Sequence, residues 1–150
     1  MSSSEFEARS KSGSEAKRRS TSKSSGGVAP QQGLGRTGER LAAEELSRRG
    51  YRILERNFHC RYGEIDLVAE QQDELVFVEV KTRRGEAWGR PEEAVTVRKQ
   101  RKIVQTALHY LDQHDDGERA WRVDVVAIQM SVRGKLEEIR VYEHAFSMEI

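Results

Sequence analysis

The chain has 150 residues, enough for one ordinary hydrophobic core and too few for two. Its 26 Lys and Arg nearly balance its 25 Asp and Glu, so the formal net charge of +1 does not by itself indicate a nucleic-acid partner. No apolar run has the length of a signal peptide or a transmembrane helix, so we expect no association with a membrane. The single cysteine, Cys60, excludes an intramolecular disulfide and favours a reducing, cytoplasmic environment.

The amino-terminal segment differs in composition from the rest of the chain. Residues 1–33 contain ten Ser, six Lys or Arg and only six apolar residues, which is too little apolar surface to offset the entropy of ordering. We therefore predict a disordered, weakly basic tail over 1–33 and one folded domain over 34–150. Residues 33–38 spell the dinucleotide fingerprint G-x-G-x-x-G, but no strand precedes them, so we favour a flexible hinge there.

Local patterns predict seven elements in the order α, β, β, β, α, β, β. Helix formers, strand alternation and turn residues give the following bounds. They are a helix over Thr37–Arg49, strands over Tyr51–Phe58, Glu64–Glu70 and Leu75–Thr82, a helix starting after Thr96, and strands over Trp121–Ile128 and Ile139–Phe146.

Capping residues and apolar spacing support both helices. Gly50 is a suitable stop for the first helix, Pro91 can open a helical turn, and Thr96 is a good N-cap for the second helix. The second helix has apolar residues at helical spacing, which predict its buried face. They are Val97, Val104, Leu108 and Leu111, flanked by Ile103 and Ala107.

The short connection Gln71–Glu74 predicts a hairpin between the second and third strands. Pairing Glu70 with Leu75 gives one wholly apolar face, which we expect to be the core side. Its pairs are Ile65 with Val80, Leu67 with Val78 and Ala69 with Val76. The opposite face then pairs Val68 with Phe77, Asp66 with Glu79, and Glu64 with Lys81.

This register brings Asp66 and Glu79 into contact range, because opposed Cβ atoms on antiparallel strands lie about 5 Å apart. Two carboxylates at that distance repel by about 3 kcal/mol at an effective dielectric constant of roughly 20. A proton, a basic side chain such as the adjoining Lys81, or a divalent cation could offset the repulsion, and Glu64 adds a third acid. Two carboxylates and the Val80 carbonyl would make a suitable partial shell for Mg²⁺. The alternative is a solvated, salt-bridged outer face.

A carboxylate on the first helix favours the metal interpretation. Glu39 shares one helix face with Ala42, Ala43 and Leu46, at the end of an apolar stripe. If that stripe packs on the sheet, Glu39 lies near the interior and needs a partner.

The charges along the chain are segregated by sign. Residues 64–79 hold six acids and no base, whereas residues 81–102 hold eight bases and three acids. An acidic pocket with a basic surround suits a metal site that faces a polyanion. Five of the bases are candidate phosphate contacts, although each could equally be a solvated surface charge: Arg83, Arg84, Arg98, Lys99 and Lys102. Trp88 and Trp121 could stack on bases, but core aromatics are commoner.

The motif residues together resemble a known family. The tetrapeptide Gly63–Asp66, thirteen positions before the tripeptide Glu79–Lys81, with Glu39 on a preceding helix, is similar to the core of the PD-(D/E)xK nuclease superfamily. A longer set of segments resembles the YraN family of endonuclease-like bacterial proteins over nearly all of residues 34–130. That set comprises Gly38–Glu39, Arg56–Asn57, Gly63–Leu67, Val78–Arg83 and Arg122–Val126.

The resemblance implies an α/β fold with a restriction-endonuclease-like αβββαβ core, in which helices flank a mixed central sheet, as in Holliday junction resolvases. It implies that Asp66 and Glu79 bind Mg²⁺ or Mn²⁺, that Lys81 positions the attacking water, and that Glu39 completes or supports the ligand shell. Ile65 stands where many superfamily members have proline. Asp124 is left outside the site, since it could pair with Arg122 or another nearby base, or act as a remote ligand.

The leading hypothesis is a magnesium-dependent endonuclease acting on DNA, with branched or structured DNA as the candidate substrate. The rival hypotheses are a nucleic-acid-binding or accessory protein that keeps the nuclease fold, and a small interaction domain with an ion-paired sheet face. A homodimer would suit junction cleavage, because it presents two sites.

Overall fold

A computed structural model describes residues 30–85, 95–114 and 116–145. The elements follow the predicted order, with two helices and five strands in these ranges. They are α1 (Pro30–Arg48), β1 (Arg52–Cys60), β2 (Gly63–Gln71), β3 (Glu74–Arg84), α2 (Val97–Gln113), β4 (Trp121–Met130) and β5 (Leu136–Tyr142). Neither of these helices is long and apolar enough to cross a membrane.

The five strands form one mixed sheet in the order β1–β2–β3–β4–β5. The β3 and β4 strands are parallel and are joined through α2, whereas the other neighbouring strands are antiparallel. The two helices pack on opposite faces of the sheet, as the separate core clusters of α1 and α2 show. This architecture confirms the predicted α/β fold with an αβββαβ core.

Both faces of the sheet carry hydrophobic core, so the prediction of a single core face was wrong. Ala42, Ala43 and Leu46 of α1 pack with Leu67 and other residues on one face. The other face lies under α2, where Val68 and Phe77 are completely buried. Apolar residues therefore follow one another directly along β2 and β3, as in sheets covered on both sides.

The predicted hairpin register holds over half of its length. Gln72 and Asp73 form the two-residue turn with positive φ values of 52° and 67°, which matches the twist of a hairpin. Pairing runs from Gln71 with Glu74 to Leu67 with Val78. The predicted pairs Ile65 with Val80, Asp66 with Glu79 and Glu64 with Lys81 lie beyond the end of this ladder.

The ladder ends where β2 changes faces. Ile65 packs in the α2-side cluster and Leu67 in the α1-side cluster, although strand alternation would put both on one face. The neighbouring β1 residue Asn57, which lies between the pairs Arg56–Leu67 and Phe58–Ile65, has a left-handed φ of 54°. The sheet is thus irregular at Asp66, between Ile65 and Leu67.

The start of α1 and the end of β5 differ from the predicted bounds. The first helix begins at Pro30 rather than Thr37, so residues 30–33 are helical and not part of a disordered tail. Proline suits the first helical position because its missing N–H is not needed there. The predicted tail over 1–29 lies outside the described residues. At the far end, β5 stops at Tyr142, since a turn follows in which His144 has a φ of 50°.

The second helix confirms its predicted start but not all of its predicted buried face. The Thr96 side chain accepts a hydrogen bond of 3.1 Å from Lys99 N, as an N-cap should. Val104 and Leu111 are buried as expected, but Val97 is 61% exposed and Leu108 47% exposed. The buried face turns instead toward Tyr110, whose ring packs on Phe58 and Phe77 of the sheet. Pro91 lies outside the described residues.

Candidate metal centre

A cleft of about 350 Å³ is formed by residues of α1, β2 and β3. We call it the acidic cleft. Its lining comprises Gly35, Glu39, Asp66, Glu79, Val80, Lys81 and Thr82. The structure therefore brings together the four predicted catalytic side chains and the residue whose carbonyl was the predicted extra ligand.

Asp66 is fixed in position but surrounded by negative charge. Its Oδ2 accepts a hydrogen bond of 2.7 Å from Val80 N, which links β2 to β3 where their ladder has ended. Burial, followed by the charges of Glu79 and Glu39, raises the pKa of Asp66 to about 7, against the Val80 hydrogen bond and the charge of Lys99. One backbone donor thus fails to offset two neighbouring carboxylates.

Glu79 is the most deeply buried acid of the cleft, with a side chain only 6% exposed. Its Oε2 lies 3.6 Å from Lys99 Nζ and 3.9 Å from Lys81 Nζ. Burial raises the pKa of Glu79, while the charges of Lys99 and Lys81 act to lower it. Both separations exceed normal hydrogen-bond length, so the lysines hold the carboxylate loosely.

Lys99 was predicted as a contact for flanking phosphates, which stays a prediction, and the structure also places it beside Glu79. Thr96 caps α2, and this puts Lys99 in the first helical turn, facing Glu79. The N-cap was visible in the sequence, but the direction in which the helix approaches β3 was not.

Glu39 lies where the apolar stripe of α1 predicted it. Ala42, Ala43 and Leu46 on the same helix face are at most 1% exposed, and Glu39 lines the acidic cleft at the end of that face. Its charge helps to raise the pKa of Asp66, so the two carboxylates repel each other across the cleft.

A glycine sets the distance between α1 and β3. A Cβ atom added to Gly38 would fall inside contact distance of Thr82 Oγ1 and 3.3 Å from Thr82 Cβ. Gly38, interpreted from sequence as part of a hinge, is therefore a close-packing position inside the helix. Because Glu39 is the next residue, this contact also determines how far its carboxylate reaches into the cleft.

Glu64 is not brought into the acidic cleft. It pairs across the strands with His59, whose Nε2 lies 2.8 Å from Glu64 Oε1, and both side chains are more than half exposed. The predicted pairing of Glu64 with Lys81 was wrong, because the irregularity at Asp66 separates the end of β2 from β3.

The other basic candidates make no contact with the acids of the cleft among the described contacts. Arg83 and Arg84 follow Lys81 at the end of β3, while Arg98 and Lys102 are exposed on α2. Their role in binding phosphates stays a prediction. Of the two tryptophans, Trp121 packs edge-on against Phe77 at 5.6 Å and so belongs to the core; Trp88 lies outside the described residues.

Asp124 belongs to a separate buried network. It is fully buried and accepts hydrogen bonds of 2.9 Å from Arg122 Nε and 2.8 Å from the Tyr51 hydroxyl. Arg122 also binds Glu74 at 2.6 Å. The expected pairing of Asp124 with Arg122 is confirmed.

The donor set of the acidic cleft fits a magnesium ion. Mg²⁺ prefers hard oxygen ligands and commonly uses one or two protein carboxylates while keeping several waters. Asp66 and Glu79 supply those carboxylates, and burial together with the charges of Glu79 and Glu39 raises the pKa of Asp66, so a cation bound there would relieve the repulsion. Within the described residues, no three His, Cys, Asp or Glu side chains are already arranged as a complete ligand group. The fit therefore depends on solvent completing the shell.

The fold and the acidic cleft together define an α/β protein with an αβββαβ core and a carboxylate-lined cleft. The chain belongs to the YraN family, described as uncharacterised protein family UPF0102, whose model matches residues 38–128. A UPF0102 protein of Caldicellulosiruptor saccharolyticus is 41% identical over 113 residues, which are 75% of this chain and 96% of that protein. One of Syntrophomonas wolfei is 60% identical over 78 residues, 52% of this chain and 68% of that protein.

Among solved structures, that of Pyrococcus furiosus SfsA in complex with Ca²⁺ is similar to this chain with a TM-score of 0.37 and 17% sequence identity. The match covers 75% of this chain and 63% of that one.

Proposed function

We propose that this protein is a metal-dependent endonuclease that hydrolyses phosphodiester bonds in DNA. The observation that carries the proposal is that two acids, half-buried Asp66 and buried Glu79, line one cleft, with two lysines within 4 Å of Glu79. Carboxylates that lack sufficient positive charge bind a divalent cation, and cations together with lysines attract a phosphate.

Asp66 and Glu79 would hold the ion, the Val80 carbonyl would add a ligand, and Glu39 would complete or support the shell. A bound Mg²⁺ or Mn²⁺ would supply Lewis acidity toward the scissile phosphate and acidify a water molecule. The Val80 N–H keeps the Asp66 carboxylate oriented, so little reorganisation is needed on binding.

The lysines of the cleft would orient the reacting groups. Lys81 lines the cleft, and its ammonium group, a compact charge with three donors, can hold the attacking water or a phosphate oxygen. Lys99 approaches Glu79 from the first turn of α2 and can neutralise its charge until an ion binds. Arg83, Arg84, Arg98 and Lys102 would contact flanking phosphates, giving salt-dependent affinity with little sequence preference.

A second candidate function is a nucleic-acid-binding or accessory protein that keeps the fold and cleaves poorly. It is favoured by the absence, within the described residues, of a ready-made group of three metal-ligating side chains. Such a protein would bind DNA through the same basic residues but would show no metal-dependent turnover. In either case we expect a cytoplasmic protein, and a homodimer if junctions are the substrate.

The experiment that separates these functions is cleavage of a labelled panel: duplex, single strand, flap and four-way junction, each with magnesium, manganese or chelator. Wild type should cut in metal and not in chelator. Glu79→Ala and Lys81→Ala should each lose at least about a hundredfold in rate, the scale typical of removing one electrostatic catalytic group. Exposed residues of the β4–β5 hairpin supply the matched controls, Glu137→Ala and Lys135→Ala, which should cut normally.

Binding without cutting in any metal would favour the accessory protein. Cutting that survives Glu79→Ala would contradict the proposed site.

A further inference from the structure

A second open cleft, of about 330 Å³, lies beside the connection between β1 and β2. We call it the Tyr62 cleft. Its lining comprises Tyr62, Gln105, Leu108, His109 and Asp112. Tyr62 comes from the two-residue connection, and the other four side chains come from α2. The proposed hydrolysis uses none of them.

The Tyr62 cleft combines an aromatic wall with a cation. The Tyr62 ring is half-buried and lies 5.7 Å from the His109 ring at an interplanar angle of 63°. The exposed Arg61 guanidinium lies 4.9 Å from the centre of the Tyr62 ring, and its Nη2 donates a hydrogen bond of 2.8 Å to the Tyr62 hydroxyl. Aromatic rings beside cations are how proteins bind single-stranded nucleic acid, because bases stack on rings and phosphates bind cations.

The other walls indicate that the occupant is a base and not a phosphate. Leu108 is 47% exposed, so it offers apolar surface to a flat ligand. Asp112 would repel a phosphate inside the cleft, whereas its carboxylate and the Gln105 amide can bind the polar edge of a base. The phosphates would then lie outside, toward Arg61 and Lys102.

The Tyr62 cleft and the acidic cleft are joined by two elements. Asp66 is four positions after Tyr62 in extended chain, which corresponds to ~13 Å at a rise of about 3.3 Å per residue. On α2, His109 is ten positions after Lys99, which lies beside Glu79, and this corresponds to ~15 Å at about 1.5 Å per residue. Lys102 lies between these two residues on α2, and its Cβ is 3.9 Å from the point where a Cβ atom added to Gly63 would lie.

We propose that the Tyr62 cleft binds an unpaired base of single-stranded DNA whose backbone runs along α2 into the acidic cleft. This inference rests on the proposed function and narrows its substrate. The DNA cut by this protein has a single-stranded segment next to the scissile bond, as a flap or an opened junction arm has. An uninterrupted duplex has its bases paired and stacked, so it cannot fill the cleft.

The test compares the affinity of the full-length protein for labelled oligothymidine with its affinity for an abasic backbone of the same length, in chelator. Only base contacts distinguish the two ligands. Wild type should prefer oligothymidine by about tenfold, the order expected for stacking of one base. Tyr62→Ala and Leu108→Glu should reduce the ratio to near one, whereas Tyr62→Phe should keep it. Leu136→Glu is the matched control, since Leu136 is 45% exposed on β5.

Leu108→Glu protects the test against a folding artefact, because the replaced side chain is half exposed on a helix and glutamate is a good helix former. A wild-type ratio of one, or a ratio unchanged in both Tyr62→Ala and Leu108→Glu, would overturn the inference while metal-dependent cleavage still supported the proposed function. A base preference that depends on Tyr62, in a protein that cuts nothing, would uphold the inference and reject the proposed function.

Discussion

Two aspartates in the same sheet, Asp124 and Asp66, have opposite surroundings. Asp124 is fully buried, and its carboxylate receives hydrogen bonds from Arg122, Tyr51 and the His144 backbone. Asp66 receives one from the Val80 backbone and faces the charges of two other acids. Asp124 is neutralised by groups of its own chain, whereas the charge of Asp66 is offset only when the carboxyl keeps a proton or a cation binds.

Among these predictions, the largest loss of stability should come from replacing Asp124, the aspartate whose carboxylate is fully hydrogen-bonded. Asp124→Ala leaves the Arg122 guanidinium buried without its main partner, and removing one member of a buried ion pair costs about 3–5 kcal/mol. Urea unfolding should show a loss of that order. Asp66→Ala should cost far less, and equal losses for the two variants would contradict the comparison.

A smaller effect should follow from moving α1. Gly38→Ala places a methyl group against Thr82 Oγ1, and overpacking of this kind costs about 1–3 kcal/mol. The shift also withdraws Glu39 from Asp66, so the pKa of Asp66 should fall toward its ordinary value in an NMR titration. Thr82→Ala in the same chain removes the clashing hydroxyl and should restore both stability and pKa. Failure of this second substitution to rescue would show that Gly38 acts in another way.

The smallest effect concerns pH. Folding raises the pKa of Asp66 from 3.8 to about 7, so between those pH values the folded chain keeps a proton that the unfolded chain has released. Stability in chelator should therefore fall as the pH rises from about 4 to about 7. One pKa unit corresponds to about 1.4 kcal/mol, and since water reaches the cleft we expect Asp66→Asn to gain only about 1–2 kcal/mol at pH 8. If the free energy of unfolding of Asp66→Asn depended on pH in the same way as that of wild type, Asp66 would not be the cause of the pH dependence.

Local patterns were enough to predict the elements that depend on neighbours in the chain. The turn at residues 72–73 determines the hairpin register near it, and Thr96 determines the start of α2. The apolar stripe of α1 predicted the burial that brings Glu39 to the cleft. Each of these inferences needed only spacing within one element or across one short turn.

Other features depend on packing between distant segments and could not be predicted. The change of face in β2 coincides with the left-handed backbone of Asn57, whose pairing with the Asp66 region appears only in the folded sheet. The approach of Lys99 to Glu79 follows from how α2 crosses the sheet. The contact of the Tyr62 ring with His109 could not be predicted either, because the two residues are 47 positions apart in the sequence.

The most direct test of whether the acidic cleft binds a divalent metal ion is a calorimetric titration of Mn²⁺ into the full-length protein, with Glu79→Gln and Glu137→Gln as the two variants. Wild type and Glu137→Gln should bind the ion at a saturable site, and Glu79→Gln should lose that site, because a neutral amide cannot replace the buried carboxylate. Absence of saturable binding in wild type, or equal binding in Glu79→Gln, would contradict the claim that the acidic cleft is a divalent metal centre.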